Sequence, residues 1–193
     1  VLAGDLDGLR GFGIVEPEWG RDTSATPKDL AVIVPVYNNG DYLWRRSFRS
    51  LMRSSVFDRM RVYLVDDGST DGETPQVVAR IARDFDNVEA YFFADGGSGS
   101  ASRPRNKGFE LSSEPYVTYL DPDNEAVGDG YAELLRVMER EGIDLSFGSV
   151  PFVKGRQGYV GDLRFGETGL IEDPRGALVR RSFAAQSMQA GIV

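Results

Sequence analysis

"LAVIVPVYN", Leu30–Asn38, is the stretch on which the fold turns. It is apolar and rich in β-branched residues, with no polar residue at alternate positions. Such a run fits a strand buried on both faces, which is the condition of a strand inside a parallel sheet. Its carboxyl end carries the polar pair Tyr37-Asn38.

The segments on either side repeat a strand and helix alternation. "DYLWRRSFRSLMRS" (Asp41–Ser54) places Leu43, Phe48 and Leu51 near helical spacing, puts Arg45, Arg46 and Arg49 on other faces, and offers Asp41 as N-cap. "RVYLVDDGSTD" (Arg61–Asp71) reads as a second buried strand ending in acidic and turn residues. "TPQVVARIARDF" (Thr74–Phe85) reads as a helix with proline in its first turn, and "VEAYFFAD" (Val88–Asp95) as a third strand. A Gly/Ser loop leads into a short helix at "PRNKGFELSS" (Pro104–Ser113), and "YVTYLDPDN" reads as a fourth strand. "GDGYAELLRVMEREG" (Gly128–Gly142) is amphipathic with a glycine stop, and "DLSFGSVPFVKG" (Asp144–Gly155) reads as a further strand. The order predicts an α/β protein with a mainly parallel, doubly wound, Rossmann-like sheet. The expected division is an irregular lead-in over residues 1–28, a core over 29–155 and a separate region over 156–193.

In such sheets a ligand sits beyond the carboxyl ends of the strands. Three of those ends are polar: Tyr37-Asn38, Asp66-Asp67-Gly68 and Asp121-Pro122-Asp123. Two carboxylates that close after an apolar strand repel one another unless a cation or a donor-rich ligand answers them.

Composition narrows the chemistry. The chain has 193 residues and a net charge of −8, which argues against a general nucleic-acid binder. Cysteine and histidine are both absent, so disulfides, Cys/His zinc sites and His-based nucleophile systems within the chain are excluded. Any metal must be held by oxygen, which favours magnesium, manganese or calcium. Any general base is expected to be Asp or Glu, ahead of Lys or Tyr. No apolar run is long enough to span a bilayer.

"VIVPVYN", "VDDGSTD", "PRNKG" and "YLDPDN", in this order and spacing, resemble the GT-A glycosyltransferases of family 2, inverting enzymes that use nucleotide-diphosphate sugars. The match covers about Leu30 to Phe152. It implies the GT-A nucleotide-diphospho-sugar transferase fold, with residues 29–155 as nucleotide-sugar-binding core and 156–193 as the start of an acceptor-side region.

The resemblance also implies roles. Pro35 and Tyr37 would shape the site of the base, Tyr37 by stacking, with Asn38 beside them. Asp67 would accept from a uracil-like imide, while Asp66 would cap the following helix. Arg105 would approach the diphosphate or base, Asn106 would hold its loop, and Lys107 is a second phosphate candidate. Arg103 has no assigned role and reads as a solvated loop charge. Asp121 would bind ribose or the cation, and Asp123 would ligate a divalent ion, Mn or Mg, bridging the phosphates. Asn124 stands where many members carry a third acid.

The family's base usually lies in an "ED" pair after a stretch such as "ALVRRSFAAQ", here Ala177–Gln186, and the chain stops at Val193. An earlier Glu172-Asp173 precedes that stretch and is followed by Pro174, so the base stays unassigned, with Asp173 as the candidate inside this chain. The expectation is therefore a fragment of a longer protein, one that binds donor and transfers sugar poorly by itself. The expected acceptor is an unknown glycan, lipid or protein of the cell envelope. The expected location is cytoplasmic, at the inner face of the membrane if other segments attach it. A silent nucleotide-binding or interaction module of the same fold is the alternative. A nucleotidyltransferase would carry a Gly-rich basic loop after the first strand, and a dehydrogenase G-x-G-x-x-G; "VPVYNNGDYL" is neither.

Overall fold

The computed structural model describes residues 23–148, 150–153, 159–163 and 191–193. Leu30–Val36 forms β1, and every residue in it is buried. Its neighbours are β2 (Met60–Asp66), β3 (Val88–Phe92) and β4 (Tyr116–Tyr119), in the spatial order β3-β2-β1-β4, with all three ladders parallel. This is the parallel α/β sheet that unbroken apolar strands require.

Period-2 geometry divides β1 between two cores. Leu30, Val32, Val34 and Val36 face one cluster, together with Leu43, Phe48, Val78, Ile81, Phe85, Leu135 and Met138. Ala31 and Ile33 face the other, with Tyr63, Val65 and Val117. The first face is covered by the helical segment after β1, by α3 (Thr74–Asp84) and by α5 (Gly130–Glu141); the second is covered by α4 (Ser102–Leu111). Phe48, Phe57 and Phe85 meet edge to face at centroid distances of 4.9–6.2 Å and fill the first layer.

The helix after β1 is not uniform. It starts as α1 (Gly40–Tyr42), widens to a π-helical stretch at Leu43–Phe48 and ends as α2 (Arg49–Met52). Asp41 is not its N-cap. That position falls to Asn39, and Asp41 instead pairs with Arg45 at 2.6 Å. Gly40 is buried, and its N–H donates to the Thr74 hydroxyl at 2.8 Å, which draws the helix start in towards α3.

The stretch at 144–155 is not one strand of the parallel sheet. Its two strands are β5 (Ser146–Phe147), antiparallel to β8 (Gly191–Ile192), and β6 (Val150–Val153), antiparallel to β7 (Tyr159–Leu163). The break falls where Gly148 interrupts the apolar pattern. Beyond β8, Val193 exchanges both backbone hydrogen bonds with Val117, at 2.7 and 2.9 Å, along the β4 edge. Of the expected lead-in, residues 23–28 are described: Thr23 donates to Asp86 at 2.7 Å, and Lys28 donates to the carbonyls of Thr23, Thr26 and Asp58. Residues 1–22 and most of 156–193 lie outside the described residues.

Candidate functional site

The site begins where β1 parts from β4. The ladder from β1 to β2 continues to Val36 and Asp66, whereas the ladder to β4 ends at Ile33 and Tyr119. Val36 bonds towards β2, since its carbonyl accepts from Asp67 N–H at 2.8 Å; Ile33 bonds towards β4, its carbonyl accepting from Leu120 at 3.0 Å. Alternation then turns the missing N–H of Pro35 towards the β4 side, past the last paired residue. A proline in a central strand thus removes no ladder bond here. The parting of β1 and β4, with neighbours running outward in opposite directions, is the crevice where α/β sheets bind ligands.

On the β2 side the strand ends are held by their own loops. Asn38 has φ +51°, a left-handed conformation that asparagine tolerates. Its Oδ1 accepts from Thr70 N–H at 2.7 Å and Asp71 N–H at 3.2 Å, so its side chain is committed to the "GST" turn. Asp66 does not cap the next helix. It is buried and accepts from the Ser69 N–H and hydroxyl, closing a turn. The N-cap position is Glu73, and the first helical N–H is answered by Asp71, which accepts from Thr74 N–H at 2.9 Å and the Thr74 hydroxyl at 2.6 Å. That hydroxyl bond leads in holding the Asp71 carboxyl below the usual range.

Asp67 is 3% exposed. Its Oδ2 accepts from Ser98 N–H at 2.7 Å and Ser98 hydroxyl at 2.8 Å, and its Oδ1 accepts from Arg103 Nε at 2.6 Å. Burial pushes this carboxyl up, but the Ser98 N–H, the Arg103 guanidinium and the Ser98 hydroxyl together outweigh it and hold it below the usual range. Tyr37 stands next to it, 44% exposed. The residue before Ser98, Gly97, lies close against the Tyr37 ring: a Cβ there would come within 2.5–3.0 Å of three ring carbons. Consecutive loop residues therefore touch Tyr37 and Asp67, which places the two side by side.

On the β4 side, Arg105 donates to Asp121 Oδ1 at 2.6 Å and lies 6.0 Å from the Tyr119 ring centroid. Arg105 thus answers the charge of Asp121, while Asp123 is exposed to solvent. The turn is closed by Asn124 N–H on the Asp121 carbonyl at 3.0 Å. Lys107 turns away, paired with Glu110 at 2.9 Å and 5.0 Å from the Tyr91 ring centroid. Asn106 is exposed.

Helix α4 ties the two sides together. It carries Arg103 to Asp67 and Arg105 to Asp121 from its first turns, and it crosses β1 directly. Gly108 makes that crossing close: a Cβ there would stand 2.4 Å from Ile33 Cγ2. Arg103, which reads from the sequence as a solvated loop charge, is instead fixed in place by its ion pair with Asp67. It also donates to the Asp95 carboxylate at 2.9 Å and to the Asp67 and Asp95 carbonyls, and it stacks 4.2 Å over the Phe93 ring.

Among the described residues, no three acidic side chains converge to hold an ion on their own. Magnesium-like ions are commonly held by one or two carboxylates plus substrate phosphates. Asp121, paired with Arg105, and the exposed Asp123 bring two carboxylates to one turn without forming a closed protein cage. Asp173 and Glu172 lie outside the described residues.

The profile of glycosyl transferase family 2 matches residues 31–181. The chain is 33% identical over 98 residues to poly(ribitol-phosphate) β-N-acetylglucosaminyltransferase TarP of Staphylococcus aureus, covering 50% of this chain and 29% of TarP. Its fold matches that of S. aureus TarS 1-349 in complex with UDP-GlcNAc, with TM-score 0.55 and 24% identity over 61% of this chain and 33% of that one. It also matches the mannosyltransferase PcManGT of Pyrobaculum calidifontis, in complex with GDP-Man and Mn2+, with TM-score 0.51 and 22% identity over 70% of this chain and 38% of that one. The chain spans less than half the length of the curated relatives it matches. With its parallel sheet, its acidic strand ends and a profile match over most of its length, the chain belongs to glycosyl transferase family 2.

Proposed function

We propose that the chain is the donor-binding part of an inverting glycosyltransferase that moves a sugar from a nucleotide-diphosphate sugar, expected to be a UDP-sugar, to an acceptor hydroxyl. The observation that carries this reading is the placement of an exposed Tyr37, a buried Asp67 held ionised by its donors and the Arg105–Asp121 pair at the carboxyl ends of the adjacent strands β1, β2 and β4. A uracil ring stacks on the open face of Tyr37, and its imide N–H donates to Asp67. Pro35 sets where β1 leaves the sheet, and Asn38 holds the loop that frames the base. Arg105 exchanges Asp121 for a phosphate oxygen, for which its donor fork is suited. Asp121 is then released to ribose or cation. UDP-GlcNAc in the TarS complex supports the choice of nucleotide.

Asp121 and Asp123 would hold Mg or Mn, as the Mn2+ in the PcManGT complex supports. When bound, the ion would supply Lewis-acid stabilisation of the departing nucleotide diphosphate. Inversion means that the acceptor oxygen bonds to the anomeric carbon from the face opposite the diphosphate as the carbon–oxygen bond to phosphate breaks. A carboxylate takes the hydroxyl proton, and Asp173 is the candidate inside this chain. Among the described residues no helix is long and apolar enough to cross a membrane. Since the nucleotide sugar is expected in the cytoplasm, the site is placed there. The acceptor belongs to the cell envelope, as glycan, lipid or protein.

A second reading, a silent nucleotide-binding module, draws on Asn124 in place of a third acid and on the neutralisation of Asp121 by Arg105. Calorimetry of UDP with and without manganese tests the first step, and release of UDP from UDP-sugars tests the second. Binding without turnover of any donor by the full-length protein selects the silent module. No UDP binding by this chain removes both.

A further inference from the structure

We propose that Arg103 is a positioning residue for the base site, holding the Asp67 carboxylate turned and ion-paired to receive an imide N–H. The inference rests on the reading that Asp67 accepts from the base. An ionised carboxylate has about four acceptor sites. On Asp67, Ser98 takes two of them on Oδ2, and Arg103 Nε takes one on Oδ1. One site remains, on Oδ1, and the Arg103 bond sets its direction. Arg103 itself is fixed from several sides: by the Asp95 carboxylate, by the carbonyls of Asp67 and Asp95, and by the Phe93 ring beneath it. A guanidinium with this many partners is a built element of the site and not a loose surface charge.

The groups facing Asp67 sharpen the consequence. Asp66 precedes it on β2, Asp95 comes from the loop after β3, Tyr37 stands beyond Gly97 on the β1 side, and Arg103 reaches in from α4. Among the described residues, Arg103 is thus the cation in direct contact with Asp67, and the ionisable groups named beside it are acids or a phenol. Without it, Asp67 is a buried carboxylate among acids, stabilised by Ser98 alone. Such a group takes up a proton nearer neutrality. A protonated Asp67 no longer presents an anionic acceptor to the base.

The test is the affinity of the 193-residue chain for UDP, by calorimetry from about pH 8 to about pH 5, a window well above the ordinary aspartate range near 3.9. Four proteins are compared: wild type, Arg103→Gln, Arg103→Lys and Asp67→Asn. The terminal phosphate of UDP titrates near pH 6, but it does so for all four and cancels in their ratios. The wild-type to Asp67→Asn ratio is expected to stay constant across the window. Arg103→Gln is expected to lose some affinity even at the alkaline end, where Asp67 is ionised but no longer held by the guanidinium, and to lose about a further tenfold per pH unit once Asp67 protonates. Arg103→Lys, which keeps the charge, is expected to restore the flat ratio. A loss in Arg103→Gln that is equal at every pH overturns the proposal, because a merely structural or base-contacting arginine behaves that way. So does a wild-type ratio that collapses near pH 6, and this arm does not depend on Arg103→Gln folding. Tight binding by Asp67→Asn, equal to wild type throughout, or no UDP binding at all, removes the underlying reading and this inference with it.

Discussion

Gly108 on α4 lies directly over Ile33 on β1, so close that a Cβ at 108 would stand 2.4 Å from Ile33 Cγ2 and 3.1 Å from Cγ1. This approach lets one helix place Arg103 against β2 and Arg105 against the β4 turn. Gly108→Ala is expected to destabilise the chain by about 1–3 kcal/mol through overpacking. Ile33→Ala alone is expected to cost about 2–5 kcal/mol. The double variant should lose clearly less than the sum, because the added methyl fills the space Ile33 leaves. Denaturant unfolding of the four proteins checks this, and strict additivity would show that the two residues do not press on each other.

Tyr37→Ala is expected to weaken UDP binding by about 1–3 kcal/mol, the usual worth of one stacked base, or roughly five- to 150-fold in affinity. Tyr37→Phe keeps the ring and should bind nearly as wild type. If both lose equally, the hydroxyl and not the ring face is what the ligand meets. Calorimetry with UDP separates the cases.

Asp123→Asn is expected to abolish most of the gain in UDP affinity that manganese brings, while metal-free binding changes little. The exposed Asp123 makes this a clean substitution, because removal of its charge leaves no buried partner behind. Titrations with and without the ion report both quantities. An unchanged manganese effect takes Asp123 out of the ligand set.

Much of this arrangement is legible in the sequence. Unbroken apolar runs at Leu30 and Arg61 announce strands covered on both faces, and the structure covers them on both. The acids after β2 and β4 mark the sheet edge on which the proposed site is drawn. Arg103 was missed because an arginine in a Gly/Ser stretch looks solvated. A signal was nonetheless present: Arg103 and Arg105 flank Pro104 at the start of a helix, where cations oppose the macrodipole unless acids answer them. Asp67 and Asp121 are those acids. The split of the stretch at 144–155 is not legible, because the two-residue strand Ser146–Phe147 takes its partner from Gly191–Ile192, far along the chain, while Val150–Val153 pairs locally with Tyr159–Leu163.

Acid is expected to unfold the chain in a defined window. Burial pushes the Asp129 carboxyl up, but the Ser55 hydroxyl and N–H and the Ser54 hydroxyl hold it below its usual range, as Ser98 and Arg103 do for Asp67. A carboxyl depressed in the folded state stabilises the fold fully above the unfolded value near 3.9 and loses that contribution as pH falls through the folded value. Stability should therefore hold steady from neutrality to about pH 5 and drop below about pH 4. Asp129→Asn should lower stability at neutral pH and flatten the acid drop. Urea midpoints across this range check both, and a variant with the wild-type acid slope would clear Asp129 of any part in it.

The backbone of Val117 finds its partner in Val193, far downstream. On a ribosome adding roughly 5–20 residues per second, the outer edge of β4 stays bare for several seconds after it emerges. During that interval a ready-made template for another chain is open, and the return of β8 with the residue after it closes it. Synthesis that pauses between the two would leave nascent chains prone to pair with one another.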